Sequence, residues 1–215
     1  MPLGLRRATA GTRRPAMCML AIALGCLVLP AIATGTIKRH RHSRGHVSQR
    51  RRSLRRWRCS GANLVPDIGD VAVAEQATLC LVNRERVAHD LPALAANGPL
   101  DAVASAHSAE MVSRDYFSHR TPSGATAEMR ILTSGYVPPS SRVAIGENVA
   151  TAGGELSTPA NVVESWMNSP PHRANILDPS FRASGVGIAL GMPLRNADGW
   201  QGPGATYTQD LGSYR

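Results

Sequence analysis

A chain of 215 residues accommodates one ordinary domain with appendages. Its formal net charge of +9 is spread unevenly: Arg6, Arg7, Arg13, Arg14 and ten basic residues from Lys38 to Arg58 precede position 59, while all 15 acidic residues follow it and outnumber the basic ones there. The part able to fold is therefore acidic behind a basic arm, which excludes a domain organised around a basic nucleic-acid surface.

Residues 1–33 read as a signal peptide. Four arginines precede an uncharged, mostly apolar run from Ala16 to Ala33, which closes on the A-x-A pattern Ala31-Ile32-Ala33. The alternative is a retained membrane anchor, for which this run with Pro30 inside it is marginal in length. The basic residues just after Ala33 work against export. Cys26 after Leu24-Gly25 is a poor lipoprotein signal, and Arg13-Arg14 is a weak twin-arginine pair. Loss of the leader removes Cys18 and Cys26. Cys59 and Cys80 remain, and in an exported protein they are expected to form a disulfide; two buried thiols in a reducing compartment are the alternative.

Residues 34–58 are rich in Arg, His, Ser and Gly, with scarcely an apolar residue, and are expected to be a disordered basic linker. Such an arm suits contact with an anionic envelope surface, or serves as a solvated spacer. Trp57 alone does not make an aromatic-interleaved surface, so no specific nucleic-acid partner is expected.

The domain proper spans 59–215. Val71, Ala74, Thr78, Leu81 and Val82 have helical spacing and predict a helix over 68–89. A second is predicted over 98–114, capped by Asn97 with Pro99 in its first turn, and with Leu100, Val103, Ala104, His107 and Met111 on one face. A third, 124–134, ends at Gly135. Residues 143–150 suit a strand. Thr158 caps a helix with Pro159 in its first position and Val162, Val163 and Trp166 inward, and Pro170-Pro171 is expected to stop it. Val186, Ile188 and Leu190 alternate with small residues, and Tyr207, Gln209 and Leu211 alternate after Gly202-Pro203-Gly204, so both segments are predicted strands. Asn196-Ala197-Asp198-Gly199 between them is a hairpin-type turn signal. The order is no regular βαβ alternation, so a layered α+β fold is expected.

Three segments carry candidate chemistry: Tyr116-Phe117-Ser118-His119, Gly146-Glu147-Asn148-Val149-Ala150, and the run from Asn168 through Ser169, Pro170, Pro171, His172, Arg173, Ala174 and Asn175 to Leu177. They bring two imidazoles and a carboxylate from element ends, where polar side chains converge in clefts. Each histidine also has a plain structural explanation, as a helix cap or a partner for a local carbonyl. An acid in a central strand does not: unpaired and buried it is costly, and a histidine is a suitable partner for Glu147. His107, on the apolar face of the second helix, reads as a core histidine, and Ser108 beside it cannot face it. Phe117 and Trp166 read as core residues.

In this order, with Val82-Asn83-Arg84-Glu85-Arg86 before them and Tyr207-Thr208-Gln209-Asp210-Leu211-Gly212 after, the segments resemble the bacterial branch of the CAP superfamily over about residues 75–212. That superfamily groups cysteine-rich secretory proteins, venom antigens, pathogenesis-related proteins and bacterial secreted proteins. The resemblance implies an α–β–α sandwich around a central, mainly antiparallel sheet, and a cleft with two histidines and two acids. His119, Glu147 and His172 match three of these; the fourth falls on Ser169, a departure usual in the bacterial branch. Asn148, Arg173 and Asn175 are expected to support them. By their own chemistry the imidazoles of His119 and His172 suit a borderline divalent cation, zinc above all, with water and Glu147 completing the shell or Glu147 taking a proton. Three functions follow as expectations: an exported domain binding a cation and a small apolar or cell-envelope ligand; a metal-dependent hydrolase of peptide or cell-wall bonds with His119, Glu147 and His172 as catalytic groups; or a structural, adhesive envelope domain. No G-x-S-x-G nucleophile motif is present. The expected location is secreted, or membrane-anchored if the leader is retained.

Overall fold

The protein is described by a computed structural model covering residues 57–193 and 202–215. The predicted leader, all but the end of the linker, and the turn at 196–199 lie outside the described residues. The elements in chain order are α1 (Val71–Ala88), β1 (Ala95–Ala96), α2 (Gly98–Ser113), α3 (Ala127–Leu132), β2 (Val143–Gly153), a 3₁₀ turn (Gly154–Ser157), α4 (Pro159–Asn168), α5 (Pro170–Ile176), β3 (Ala183–Leu190) and β4 (Gly204–Tyr214). The sheet order is β1-β3-β4-β2, with β1 parallel to β3 and the other pairs antiparallel.

Local chemistry accounts for most element ends. Asn97 accepts the Leu100 N–H at 3.1 Å, and Thr158 caps α4 ahead of Pro159. The third helix starts later than predicted, because Thr126 accepts the Met129 N–H and so sets its first turn. Pro170-Pro171 ends α4 but also opens α5: the first turn of a helix needs no N–H partner, so proline suits it. His172 therefore stands on a helix.

The sheet is covered on both faces. On one, Leu81 and Val82 of α1 and Val162, Val163 and Trp166 of α4 pack on Val186, Ile188, Tyr207 and Leu211. On the other, Leu100 and Val103 of α2 pack with Ile131 and Tyr136. The fold is thus an α–β–α sandwich. The small residues alternating along β3 have a specific purpose. A Cβ at Gly185 would strike the backbone of Leu100 and Asp101, and one at Gly187 the backbone of Ala104 and Ser105, so α2 lies directly on the strand's main chain. Beyond the short β1, the Val186 and Ile188 N–H groups donate to Asp101 Oδ1 and Glu75 Oε1, at 2.9 and 3.1 Å. A carboxylate from each helical layer thereby covers that edge.

Two ties hold the α1 layer. Cys59 and Cys80 form the expected disulfide, joining the start of the domain to α1. Arg86, fully buried, donates from Nη1 to the Ile176 and Asp178 carbonyls and from Nε to that of Pro92. Burial holds its guanidinium below the usual arginine range. No described helix is long and apolar enough to cross a membrane.

Gly187→Ala tests the close approach of α2. Because the obstacle is backbone, the helix must move off the sheet, and a loss of about 2 kcal/mol or more in urea unfolding is expected; Gly98→Ala, where a Cβ meets open space, should unfold like the parent.

Candidate functional site

Glu147 sits in β2 and points toward the α2–α3 layer, only 6% exposed. Gly146 before it has to be small: a Cβ there would lie 2.8 Å from the Phe181 ring. The Glu147 carboxylate is held from several sides. His119 Nδ1 donates to Oε1 at 2.7 Å, and Arg130 Nη2 of α3 donates to Oε2. Arg130 Nη1 also reaches the carbonyls of His119 and Ala125, both at 3.2 Å. One guanidinium thus positions the acid and the loop that carries its histidine partner.

Strand β4 supplies a second carboxyl. Asp210 is the register partner of Glu147, is fully buried, and neither of its oxygens meets an N–H or O–H donor. Burial first, and the charge of Glu147 second, hold Asp210 well above the usual carboxylate range. Two facing carboxyls share a hydrogen bond only with a proton between them. The surroundings favour the protonated form on Asp210, the form able to donate toward Glu147, whose own oxygens already accept from His119 and Arg130.

His107 Nε2 donates to the Ser118 carbonyl at 3.0 Å and lies 3.9 Å from Glu147 Oε2. Burial is the largest influence on it and lowers its proton affinity, so it is a neutral core histidine that pins the 118–119 loop. His172 approaches from α5, in the opposite layer. Burial first, then the neighbouring His119, hold it below the usual histidine range. The two imidazoles come from opposite helical layers and are near enough for the charge of one to act on the other. Asn148 Nδ2 donates to the His172 carbonyl at 3.3 Å, and Asn175 Nδ2 donates to Asn148 Oδ1 and the Glu147 carbonyl, both at 2.9 Å. Arg173 turns instead to the surface, 3.1 Å from His89 Nε2. Ser169 precedes α5 without a side-chain cap bond. Trp166 is buried and donates from Nε1 to the Val149 carbonyl, whereas Phe117, read as core, is exposed because it lies on the loop beyond α2.

Beside Glu147 opens a cleft of about 470 Å³ between His119, Arg120 and the start of α3 on one side and Val143–Glu147 on the other. As a donor for a cation the cleft wall offers one imidazole, that of His119, while His172 stands outside the lining. Both Glu147 oxygens are engaged, and among the described residues no three His, Cys, Asp or Glu side chains are grouped to hold a metal ion. Glu147 orients the His119 imidazole, and the described residues form no closed structural centre.

Two contributors escape sequence reading: Arg130 and Asp210. Asp210 gives a signed pH prediction. The native state keeps its proton at pH values where the unfolded chain has lost it, so its contribution to stability falls as pH rises above the unfolded value. Asp210→Asn should remove that fall. Its stability relative to the parent should grow steadily as pH is raised above the ordinary aspartate range in denaturant titrations.

Comparison with known proteins agrees with this architecture. The family model described as "CAP: Cysteine-rich secretory protein family" matches residues 79–207. Among curated proteins, "Uncharacterized protein YkwD" of Bacillus subtilis is 35% identical over 117 residues, covering 54% of this chain and 43% of that protein. "Uncharacterized membrane protein YlbC" of the same organism is 35% identical over 115 residues, covering 54% of this chain and 31% of that protein. The chain thus spans less than half the length of these relatives. An extracellular SCP-domain protein of Bacillus anthracis has a solved structure that superposes with a TM-score of 0.52 at 27% identity, over 68% of this chain and 43% of that one. An outer surface protein of Borrelia burgdorferi superposes with a TM-score of 0.52 over 71% of this chain and 99% of its own, and at 16% identity that likeness is one of fold alone. With the matched model spanning more than half of the chain and the α–β–α sandwich in place, this chain belongs to the cysteine-rich secretory protein (CAP) family.

Proposed function

We propose that this is an exported CAP-domain protein whose cleft binds a small apolar or cell-envelope ligand beside a weakly held divalent cation. Export is supported by the apolar run with its A-x-A end, the Cys59–Cys80 pairing and the description of the Bacillus anthracis neighbour as extracellular. The observation that carries the binding reading is the His119–Glu147 bond. It places the imidazole proton on Nδ1 and leaves Nε2 with its lone pair, on a side chain that is 56% exposed. With His172 reaching in from the opposite layer, the two imidazoles would hold the cation, and Glu147 would orient the first of them. A bound zinc would supply Lewis acidity and a polarised water.

The same bond supports a second reading, hydrolysis. A histidine oriented by a buried carboxylate is general-base geometry, and Glu147 is shielded well enough to stay in register. Binding is the first reading because, among the described residues, no side-chain nucleophile is paired with His119: Ser118 Oγ accepts from the Arg120 N–H at 3.1 Å, and Cys59 and Cys80 are joined, so hydrolysis would rest on water alone.

The test is zinc titration of the 215-residue chain and of His119→Ala and His172→Ala, each checked by circular dichroism. Each substitution should weaken zinc binding by about tenfold or more while leaving the fold intact. Equal affinity in all three proteins would remove the cation from the reading. Zinc-dependent cleavage of peptide or cell-wall substrates, lost in His119→Ala, would favour the hydrolase.

A further inference from the structure

β2 is an outer strand, and the hydrogen bonding at its end reveals which backbone groups face away from β4. Arg142 and Arg215, one step beyond the Val143–Tyr214 pair, exchange both N–H···O bonds, at 3.1 and 3.0 Å. In an antiparallel pair such exchanges recur at every second residue. The even-numbered residues of β2 therefore bond to β4, and the N–H and C=O groups of Val143, Ile145, Glu147 and Val149 point outward. Two of these carbonyls are closed by side chains: Asn175 Nδ2 on Glu147 at 2.9 Å and Trp166 Nε1 on Val149 at 3.2 Å. Among the described residues, nothing bonds the outward N–H and C=O of Val143 and Ile145 or the N–H of Glu147.

The cleft lies along this open stretch. Gly146 lines it through its main chain, since the space a Cβ would take there lies on the opposite face, against Phe181. Thr126, Ala127 and Glu128 form the opposite wall. From Val143 to Glu147 the strand runs roughly 14 Å, the length of four or five extended residues.

We propose that this cleft binds an extended polypeptide segment by strand addition, its main chain bonding to Val143, Ile145 and Glu147 and running up to the His119–Glu147 couple. Three free donors and two free acceptors spaced at every second residue match an extended backbone, and match no compact ligand as well. The α3 wall selects a lone segment. A second copy of this chain would bring its own helical layers along with its β2 edge, and they would meet that wall. The proposal rests on the reading of this cleft as the ligand site, but it uses backbone groups rather than the histidines, so the two fail separately.

The experiment is an amide NMR titration of the isotope-labelled 215-residue chain with an acetylated, amidated Thr-Val-Thr-Val-Thr peptide, and with the same peptide N-methylated throughout. The expected result is movement of the Val143, Ile145 and Glu147 signals by the first peptide, with binding weakened about tenfold or more by N-methylation. Val143→Pro removes one outward N–H and spares the bonds to β4, as proline can on an outer strand, and should weaken binding by a similar factor. Val143→Ala, which keeps the N–H, should bind within about twofold of the parent. His119→Ala and His172→Ala should still bind the peptide; if they do while their zinc titrations match the parent, strand addition stands and the cation reading falls. Binding indifferent to N-methylation overturns the proposal even if Val143→Pro fails to fold. So does absence of binding at millimolar peptide, or the same signal movements produced by protein concentration alone, which would assign the edge to a second copy.

Discussion

A carboxylate moved out of water onto a sheet must be met by donors, or it gives up its charge. Glu147 is in that position, and the neighbouring elements are arranged around it. Arg130 comes from α3 and, by the same guanidinium, holds the carbonyls of His119 and Ala125. His119 follows from that loop, and His107 pins the loop from α2 through the Ser118 carbonyl. On the other side of the strand, Asn175 bonds the Glu147 carbonyl and so draws α5, with His172 on it, to the same point. Removing Arg130 would leave a buried charge without its strongest partner, a situation that typically costs 3–5 kcal/mol by order of magnitude, roughly the scale of a whole domain's margin.

Asp210 changes what the missing fourth acid means. Ser169, where the resemblance places that acid, stands at the start of α5 and brings no carboxylate. A second carboxyl exists, but behind Glu147 rather than across the cleft from it. It is fully buried and cannot touch a ligand, so its influence passes through Glu147. As a neutral donor it steadies an acceptor that already serves two other groups; as an anion it would set two negative charges against each other in a dry interior. The first state is the one the surroundings favour.

The legibility of this protein in its sequence follows from what each signal depends on. Helix caps are local, so Asn97 and Thr158 mark their helices correctly. The periodicities of α1, α2, α4, β3 and β4 depend on one buried face and were equally readable. Asp210 was not, because the alternation of Tyr207, Gln209 and Leu211 suggests a strand with its other face in water. That rule fails where helices cover both faces: Thr206, Thr208 and Asp210 are as buried as their neighbours. Arg130 was equally silent, since a basic residue on a short helix carries no pattern until the strand opposite is known. The glycines at 185 and 187 were visible as small residues, but the helix resting on them lies about 80 positions earlier in the chain. β1, two residues long, is defined by its pairing with β3 and by nothing in its own composition.

A sheet edge left open invites unwanted pairing, and this fold closes its edges by different means. On the β3 side, Asp101 and Glu75 accept the strand's outward N–H groups, and both carboxyls are raised above their usual ranges chiefly by burial. That protection carries an electrostatic cost, since charged groups are taken partly out of water to provide it. On the β2 side, Asn175 and Trp166 close two carbonyls with neutral donors, and the closure stops at Glu147. From there to Val143 the edge is screened only by the wall of the cleft. Screening by a wall excludes a second sheet but leaves the hydrogen-bonding groups available, whereas capping would have consumed them. The open stretch ends at the residue whose carboxylate organises the site, so the access that folding leaves to the backbone and the chemistry presented by His119 fall in one place.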